Sequence, residues 1–301
     1  MSVLLAAGVL VALALGIWLG AWFDRLAPAL EGGRAAGPMA PLRDWAALLI
    51  RDQAETEAPD RMNRLLAPAW YLALAAIGLS VVPVAEGLAL WHSPVGIVVW
   101  GSCEALIVIT VFLHGWSPNA PFPLIGAYRY AAIGLPVMLP SMFVLIAAAL
   151  PAESLSLIAI VDSQRDSWNL VRQPLGLPLF LVVGLTLTLR GPLDFAGGVD
   201  IAGGTSAEES GAGLFLWQVA RLATLVAFSA LAAAVFLGGP LGPLLPGPVW
   251  LALKTALVMA LTVLAGRLIA RTTPSRMLHV LWVWLLPLSF AHLAVSGMVA
   301  L

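Results

Sequence analysis

The feature that most constrains this chain is its series of long apolar runs. A helix of about 20 mainly apolar residues crosses the hydrocarbon core of a bilayer. About eight such runs occur, at roughly 2–22, 66–90, 95–114, 124–150, 174–190, 212–238, 247–270 and 278–299. They predict an all-α, polytopic transmembrane helix bundle, with residues 1–301 forming a single integral membrane domain. Composition agrees, because 61% of residues are hydrophobic and only 10% charged, against about half and about a quarter in soluble domains. The first run, Val3–Trp22, has no charged segment before it and is long enough to span, so it is expected to be a retained helix and not a cleaved signal. Pro83, Pro136 and Pro140 fall inside predicted spans, where each removes a backbone hydrogen bond and bends the helix.

The few basic residues give the chain a direction. Arg25, Arg34, Arg43, Arg51, Arg61 and Arg64 lie in the first loop, Arg190 ends the fifth run, and Arg267, Arg271 and Arg276 flank the last loop. Only Arg165 and Arg172 lie in loops on the other side. The positive-inside rule therefore places loops 23–65 and 190–211 in the cytoplasm and both termini outside a bacterial inner membrane. Within the first loop, Pro41–Arg51 puts Leu42, Trp45, Leu48 and Leu49 on one helical face. This amphipathic helix suits a membrane surface or a partner's groove. The second loop, RGPLDFAGGVDIAGGTSAEESG, carries Asp194, Asp200, Glu208 and Glu209 among six glycines. A segment so acidic is unusual in so sparsely charged a chain.

Several chemistries are excluded. A net charge of −1 offers no basic stripe for nucleic acid. A single cysteine, Cys103, supports no multi-cysteine metal or iron–sulfur site. The four histidines show no metal-ligand spacing, and no phosphate loop, nucleotide fingerprint or nucleophile elbow is present. The chain is not expected to catalyse a reaction alone. Charges at membrane depth are the better candidates, since each costs several kcal/mol unless paired or hydrated. Glu104 lies near the middle of the third run, Glu86 near the outer end of the second, Arg129 in the first turns of the fourth, Arg221 in the sixth and Lys254 in the seventh. Arg221 and Lys254 are expected either to snorkel or to pair with Glu104 or a loop carboxylate.

Five stretches, in order, carry a family resemblance over nearly the whole chain. GRAAGPMAPLRD (Gly33–Asp44) resembles R-x-G-P followed by P-L-x-D, and GWSPNAPFPLIGAYR (Gly115–Arg129) resembles a stretch ending in L-x-G-A-x-R. RGPLDFA (Arg190–Ala196) and GGTSAEESG (Gly203–Gly211) resemble P-F-D-x-A-E-x-E and G-G-P-L-x-E-Y-S-G. Lys254 matches a lysine of the penultimate span, and WLLPLSF (Trp284–Phe290) resembles the closing L-L-P-L. The sequence thus resembles the H-subunit family of respiratory complex I (NADH-quinone oxidoreductase), nearest to the branch found in group 4 hydrogenases and formate hydrogenlyase.

The resemblance implies a membrane subunit that anchors a peripheral redox module and couples its electron transfer to proton or ion translocation. It implies that the chain binds no cofactor itself, that quinone, where present, lies at a subunit interface, and that iron–sulfur and nickel–iron centres belong to partners. Those partners would be hydrogenase-like or quinone-module subunits, an iron–sulfur subunit and antiporter-like membrane subunits. Arg34, Arg129, Arg190, Asp194 and Glu209 would face the redox module, and Glu104, Asp200, Glu208, Lys254, Arg221 and Glu86 would serve proton coupling. Departures from the pattern are specific. GGVD replaces a cluster of glutamates after the loop aspartate, Glu209 replaces a tyrosine, and Met138 stands where the family commonly has a glutamate. The alternative expectation is a purely structural anchor that has lost the usual proton route.

Overall fold

The computed structural model describes residues 2–28 and 36–300. In chain order, the long helix α1 (Ser2–Leu26) is followed by the short α2 (Ala40–Ile50) and then by α3 (Arg61–Ser80). A two-stranded antiparallel hairpin, β1 (Pro83–Ala85) and β2 (Leu88–Ala89), leads into α4 (Gly96–Trp116) and α5 (Pro121–Ala149). Three shorter helices follow, α6 (Leu157–Asp162), α7 (Asn169–Arg172) and α8 (Gly176–Leu187). The chain closes with α9 (Gly211–Leu237), α10 (Gly247–Leu268), α11 (Pro274–Val280) and α12 (Leu286–Ala300), the last two joined by a π-helical segment, Leu281–Leu285. Among the described residues, seven helices are long and apolar enough to cross a membrane, counting the composite last helix as one.

Two expected spans differ. The second run does not continue to residue 90, because α3 stops at Ser80 and the chain turns into the hairpin. Proline lacks the N–H a helix needs and disfavours helical geometry in the residue before it. Pro83 therefore begins a strand, and Glu86 sits in the hairpin turn, outside any span. The fifth run yields only the 12-residue α8, about 18 Å long at 1.5 Å per residue and well short of a bilayer core. By contrast, α5 runs through Pro136 and Pro140 without interruption.

The segment before α8 fills the missing length with side chains that bind helix ends. Gln164 Nε2 donates to Ala234 O at 2.9 Å, while its Oε1 accepts from Asn169 N at 3.1 Å and Gly238 N at 3.0 Å. Asn169 Nδ2 donates to Val235 O and Ala148 O, and Gln173 Nε2 to Ala147 O. The last carbonyls of a helix have no partner within it, and at membrane depth water is not at hand to serve them. Polar residues from α6 to α8 thus finish both α5 and α9.

At the centre stands α9. Every residue from Leu222 to Leu237 is buried, as expected of a helix apolar all round. Its alanines let neighbours approach closely, which is how helices associate where lipid already satisfies apolar surface. The tightest approach is at Gly184 of α8, where a Cβ would lie 2.2 Å from the Phe228 ring.

Candidate functional site

Ion pairs sort the loops to two ends of the bundle. At one end Arg165, which follows α6, reaches Glu86 in the hairpin at 3.4 Å and Asp162 at 3.0 Å. Carboxylate partners raise the Arg165 guanidinium further above its ordinary range. The far end of α1 belongs to this hairpin end, since Leu4 and Val84 line one crevice. The end of α12 does too, since Val299 shares a cavity with Glu153 and Arg172. At the opposite end the acidic loop folds back onto the first loop and the starts and ends of α1, α3, α5 and α10.

That folding consumes most of the loop's carboxylates. Asp194 accepts from Arg271 Nη2 at 2.8 Å and from Gly197 N at 2.9 Å. Asp200 pairs with Arg129, whose hydrogen bond holds the Asp200 carboxyl below the ordinary carboxylate range. Glu209, with its side chain only 1% exposed, takes both bonds of the Arg64 fork at 3.0 and 3.2 Å. Burial nevertheless pushes the Glu209 carboxyl above its ordinary range, against the pull of Arg64. Glu208 is half-buried and, among the described residues, belongs to no ion pair. Gly204 permits this fold: it holds φ +58°, and a Cβ there would lie 1.8 Å from Ala196 O.

Beside the loop opens a polar cleft of about 700 Å³ between α1, the start of the loop, α9 and the end of α10. Five arginines line it, Arg25, Arg190, Arg221, Arg267 and Arg271, against two aspartates, Asp24 and Asp194. Arg190 forks onto both carboxylate oxygens of Asp24 and so ties the loop to α1. Arg25 pairs with Asp44, which ties α2 to the same end. The surplus charge sits on Arg221 and Arg267, neither of which forms an ion pair among the described residues; the buried Nε of Arg221 has no partner there either.

Glu104 is fully buried in α4, one carboxylate oxygen accepting from Trp100 Nε1 and the other from Ser141 Oγ at 2.6 Å. Trp100 lies one helical turn before it, on the same face. Ser141 comes from α5, one turn beyond Met138, where the resemblance led to an expected glutamate.

Several expected partnerships are not made. Lys254 does not approach a carboxylate among the described residues. It donates to the carbonyls of Leu237, Gly239 and Leu241 at 2.6, 3.0 and 2.6 Å, with its ammonium 4.4 Å from the Trp168 ring centre. The carbonyls at the C-terminal end of α9 are the nearest strong acceptors, and they attract a cation. Nor does Arg221 reach Glu104, which is already satisfied by neutral donors. Glu86 lies at the other end of the molecule, with its side chain exposed. Arg34 lies outside the described residues. Sequence reasoning did not single out Asp24, Arg64 or Arg271 as partners. Arg64 and Arg271 registered there only as basic loop residues, and nothing local marks a pair closed across 145 residues.

Comparison with known proteins identifies the family. A family described as NADH dehydrogenase matches residues 1–297. The chain is 32% identical over 272 residues to the NADH-quinone oxidoreductase H subunit 1 of Rhodopseudomonas palustris strain BisB5, covering 89% of this chain and 85% of that one. The corresponding protein of strain BisA53 is 32% identical over 308 residues, covering 99% and 93%. The NADH-quinone oxidoreductase H subunit of Anoxybacillus flavithermus is 31% identical over 283 residues, covering 91% and 84%.

Proposed function

The chain belongs to the H-subunit family of NADH-quinone oxidoreductase, respiratory complex I, and on that premise we propose that its arginine-rich end docks a peripheral redox module on the cytoplasmic side of the membrane. As a multi-pass membrane subunit of this type it assembles with other complex I subunits. The finer claim is that the cleft beside the acidic loop senses the redox module's charge and that Glu104 answers it by taking up or releasing a proton. The observation that carries this reading is the cleft itself, with its five arginines against two aspartates. A cavity with an excess of fixed positive charge, next to the one loop rich in acids, is suited to a site where negative charge appears and disappears.

A quinone head presents carbonyl oxygens, which are acceptors only. The cleft offers donors to match, because Arg190 and Arg221 line it and their Nε atoms have no partner among the described residues. Those two side chains would hold such a head, and a bound quinone would supply the electron-accepting chemistry. The chain's own contribution is electrostatic. Arg190 is tied to Asp24 and Asp194 to Arg271, so added negative charge would be balanced by the unpaired Arg221 and Arg267, by loosening one of these pairs or by moving a proton. Glu104, fully buried and held by two neutral donors, is the carboxylate suited to respond, since no cation among the described residues neutralises it.

The second reading, a purely structural anchor, is favoured by a different observation. Asp194, Asp200 and Glu209 are each paired with an arginine of the same chain, which leaves Glu208 as the loop acid without a partner among the described residues. Two variants separate the readings. In sealed vesicles, Glu104→Gln in the assembled complex should lower redox-driven proton uptake several-fold while electron transfer persists; undiminished uptake removes Glu104 from the route and leaves the anchor reading. Glu208→Ala should weaken retention of the peripheral subunits on purification; full retention would remove that residue from the docking face.

A further inference from the structure

A second cavity, mainly apolar, lies at the hairpin end, on the other side of the bundle from the arginine cleft. It measures about 670 Å³ and is enclosed by the end of α5, the corner between α7 and α8, and α12. One wall is apolar, built from Leu150, Leu288, Val295 and Val299. The rim carries one charge of each sign, Glu153 and Arg172. Both are exposed, and among the described residues neither takes part in an ion pair.

The floor is polar and unsatisfied. Gln173 is 5% exposed and His292 7% exposed. The Gln173 amide nitrogen donates to Ala147 O at 2.7 Å, which turns its oxygen the other way, and that oxygen is buried without a partner. His292 Nε2 is likewise buried, and among the described residues neither atom has a partner. A buried polar atom left without a hydrogen bond costs about 1–3 kcal/mol, and native structures rarely leave such groups unserved. Two of them in one cavity, under a pair of uncompensated opposite charges and beside an apolar wall, describe the complement of a small amphiphile.

We propose that this cavity binds phosphatidylethanolamine, with the head group at the rim and the start of an acyl chain against α12. The phosphate would accept from the Arg172 guanidinium. The ammonium, which carries three N–H donors, would serve the Glu153 carboxylate and the orphan Gln173 Oε1. This donor count selects among lipids. A choline head has no N–H to give Gln173, and a glycerol head leaves Glu153 facing a net negative ligand. The apolar wall continues onto the exposed Leu288, Val295 and Val299 of α12, so a chain leaving the cavity meets surface already facing lipid.

The test uses the complete assembled complex, placed in nanodiscs containing phosphatidylglycerol mixed with either phosphatidylethanolamine or phosphatidylcholine. Native mass spectrometry then reads the lipid retained by this chain. Phosphatidylethanolamine should be retained selectively, and Arg172→Ala and Glu153→Ala should each weaken retention about tenfold, as expected for loss of one charge-assisted hydrogen bond. Both positions are exposed and unpaired, so folding is not at stake. Ser296→Phe, at a buried position lining the cavity, should abolish retention by filling the space while both charges remain. Equal retention of phosphatidylcholine or of phosphatidylglycerol, unaltered retention by the variants, or density for a neighbouring protein's side chain in the cavity would each overturn the proposal.

Discussion

Arg64 and Glu209 stand 145 residues apart in the chain, yet both nitrogens of the Arg64 fork, Nε and Nη2, reach the Glu209 carboxylate at 3.0 and 3.2 Å. The contact clasps the start of α3 to the end of the acidic loop. With the Glu209 side chain only 1% exposed, neither water nor salt can readily substitute for the guanidinium.

Removing one side of that clasp is expected to destabilise the fold strongly. Arg64→Ala strands a buried carboxylate, a change that costs roughly 3–5 kcal/mol in comparable pairs. The pH dependence has a definite sign. Burial raises the Glu209 carboxyl in the folded protein, so the group disfavours the folded state increasingly as pH rises from the ordinary glutamate range into the raised one. Without Arg64 the rise is larger, so the deficit of the variant should be small in acid and grow towards neutrality. Thermal unfolding of the detergent-solubilised protein across pH measures this; a deficit independent of pH would contradict it.

Glu104 offers a contrast between two substitutions. Glu104→Gln keeps an oxygen for Trp100 Nε1, and the Ser141 hydroxyl can rotate to accept from the new amide. Glu104→Leu leaves both buried donors unserved, at about 1–3 kcal/mol each. The glutamine variant should therefore assemble near normally while the leucine variant loses several degrees of Tm. Equal stability of the two would show that neither the Trp100 bond within α4 nor the Ser141 bond from α5 stabilises the fold.

Lys254, 5% exposed, is a clamp on the loop after α9. Lys254→Met keeps the apolar stem and removes the charge from three carbonyls, with a cost of roughly 3 kcal/mol from bonds individually worth about 1.5–3 kcal/mol. Hydrogen exchange should quicken at Leu237–Leu241 before it does elsewhere in α9. Uniform exchange throughout the helix would mean that the clamp is dispensable.

The contact between α8 and α9 allows little growth. Gly184→Ala would place a methyl 2.2 Å from the Phe228 ring, and such overpacking typically costs about 1–3 kcal/mol. Phe228→Leu in the same chain should recover part of the loss, a coupling that a double-mutant cycle reads directly. Strict additivity of the two changes would show that the helices part elsewhere to relieve the clash.

Long apolar runs, loop arginines and the amphipathic pattern of Leu42, Trp45, Leu48 and Leu49 are local properties, and each is governed by the bilayer, which acts on every segment independently. They sufficed for the all-α membrane bundle and for Glu104 as a buried acid, while the family rested on five ordered motifs. They misjudged α3 and α8, where Pro83 ends one span early and only 12 residues of the 174–190 run form α8. They were silent on partners. That Glu104 rests on Trp100 and Ser141, that Lys254 serves carbonyls and not a carboxylate, and that the loop acids meet Arg64, Arg129 and Arg271 are decided only when distant segments pack. A charge at low dielectric takes whichever complementary group lies nearest, and nearness across the bundle is a property of the tertiary structure alone.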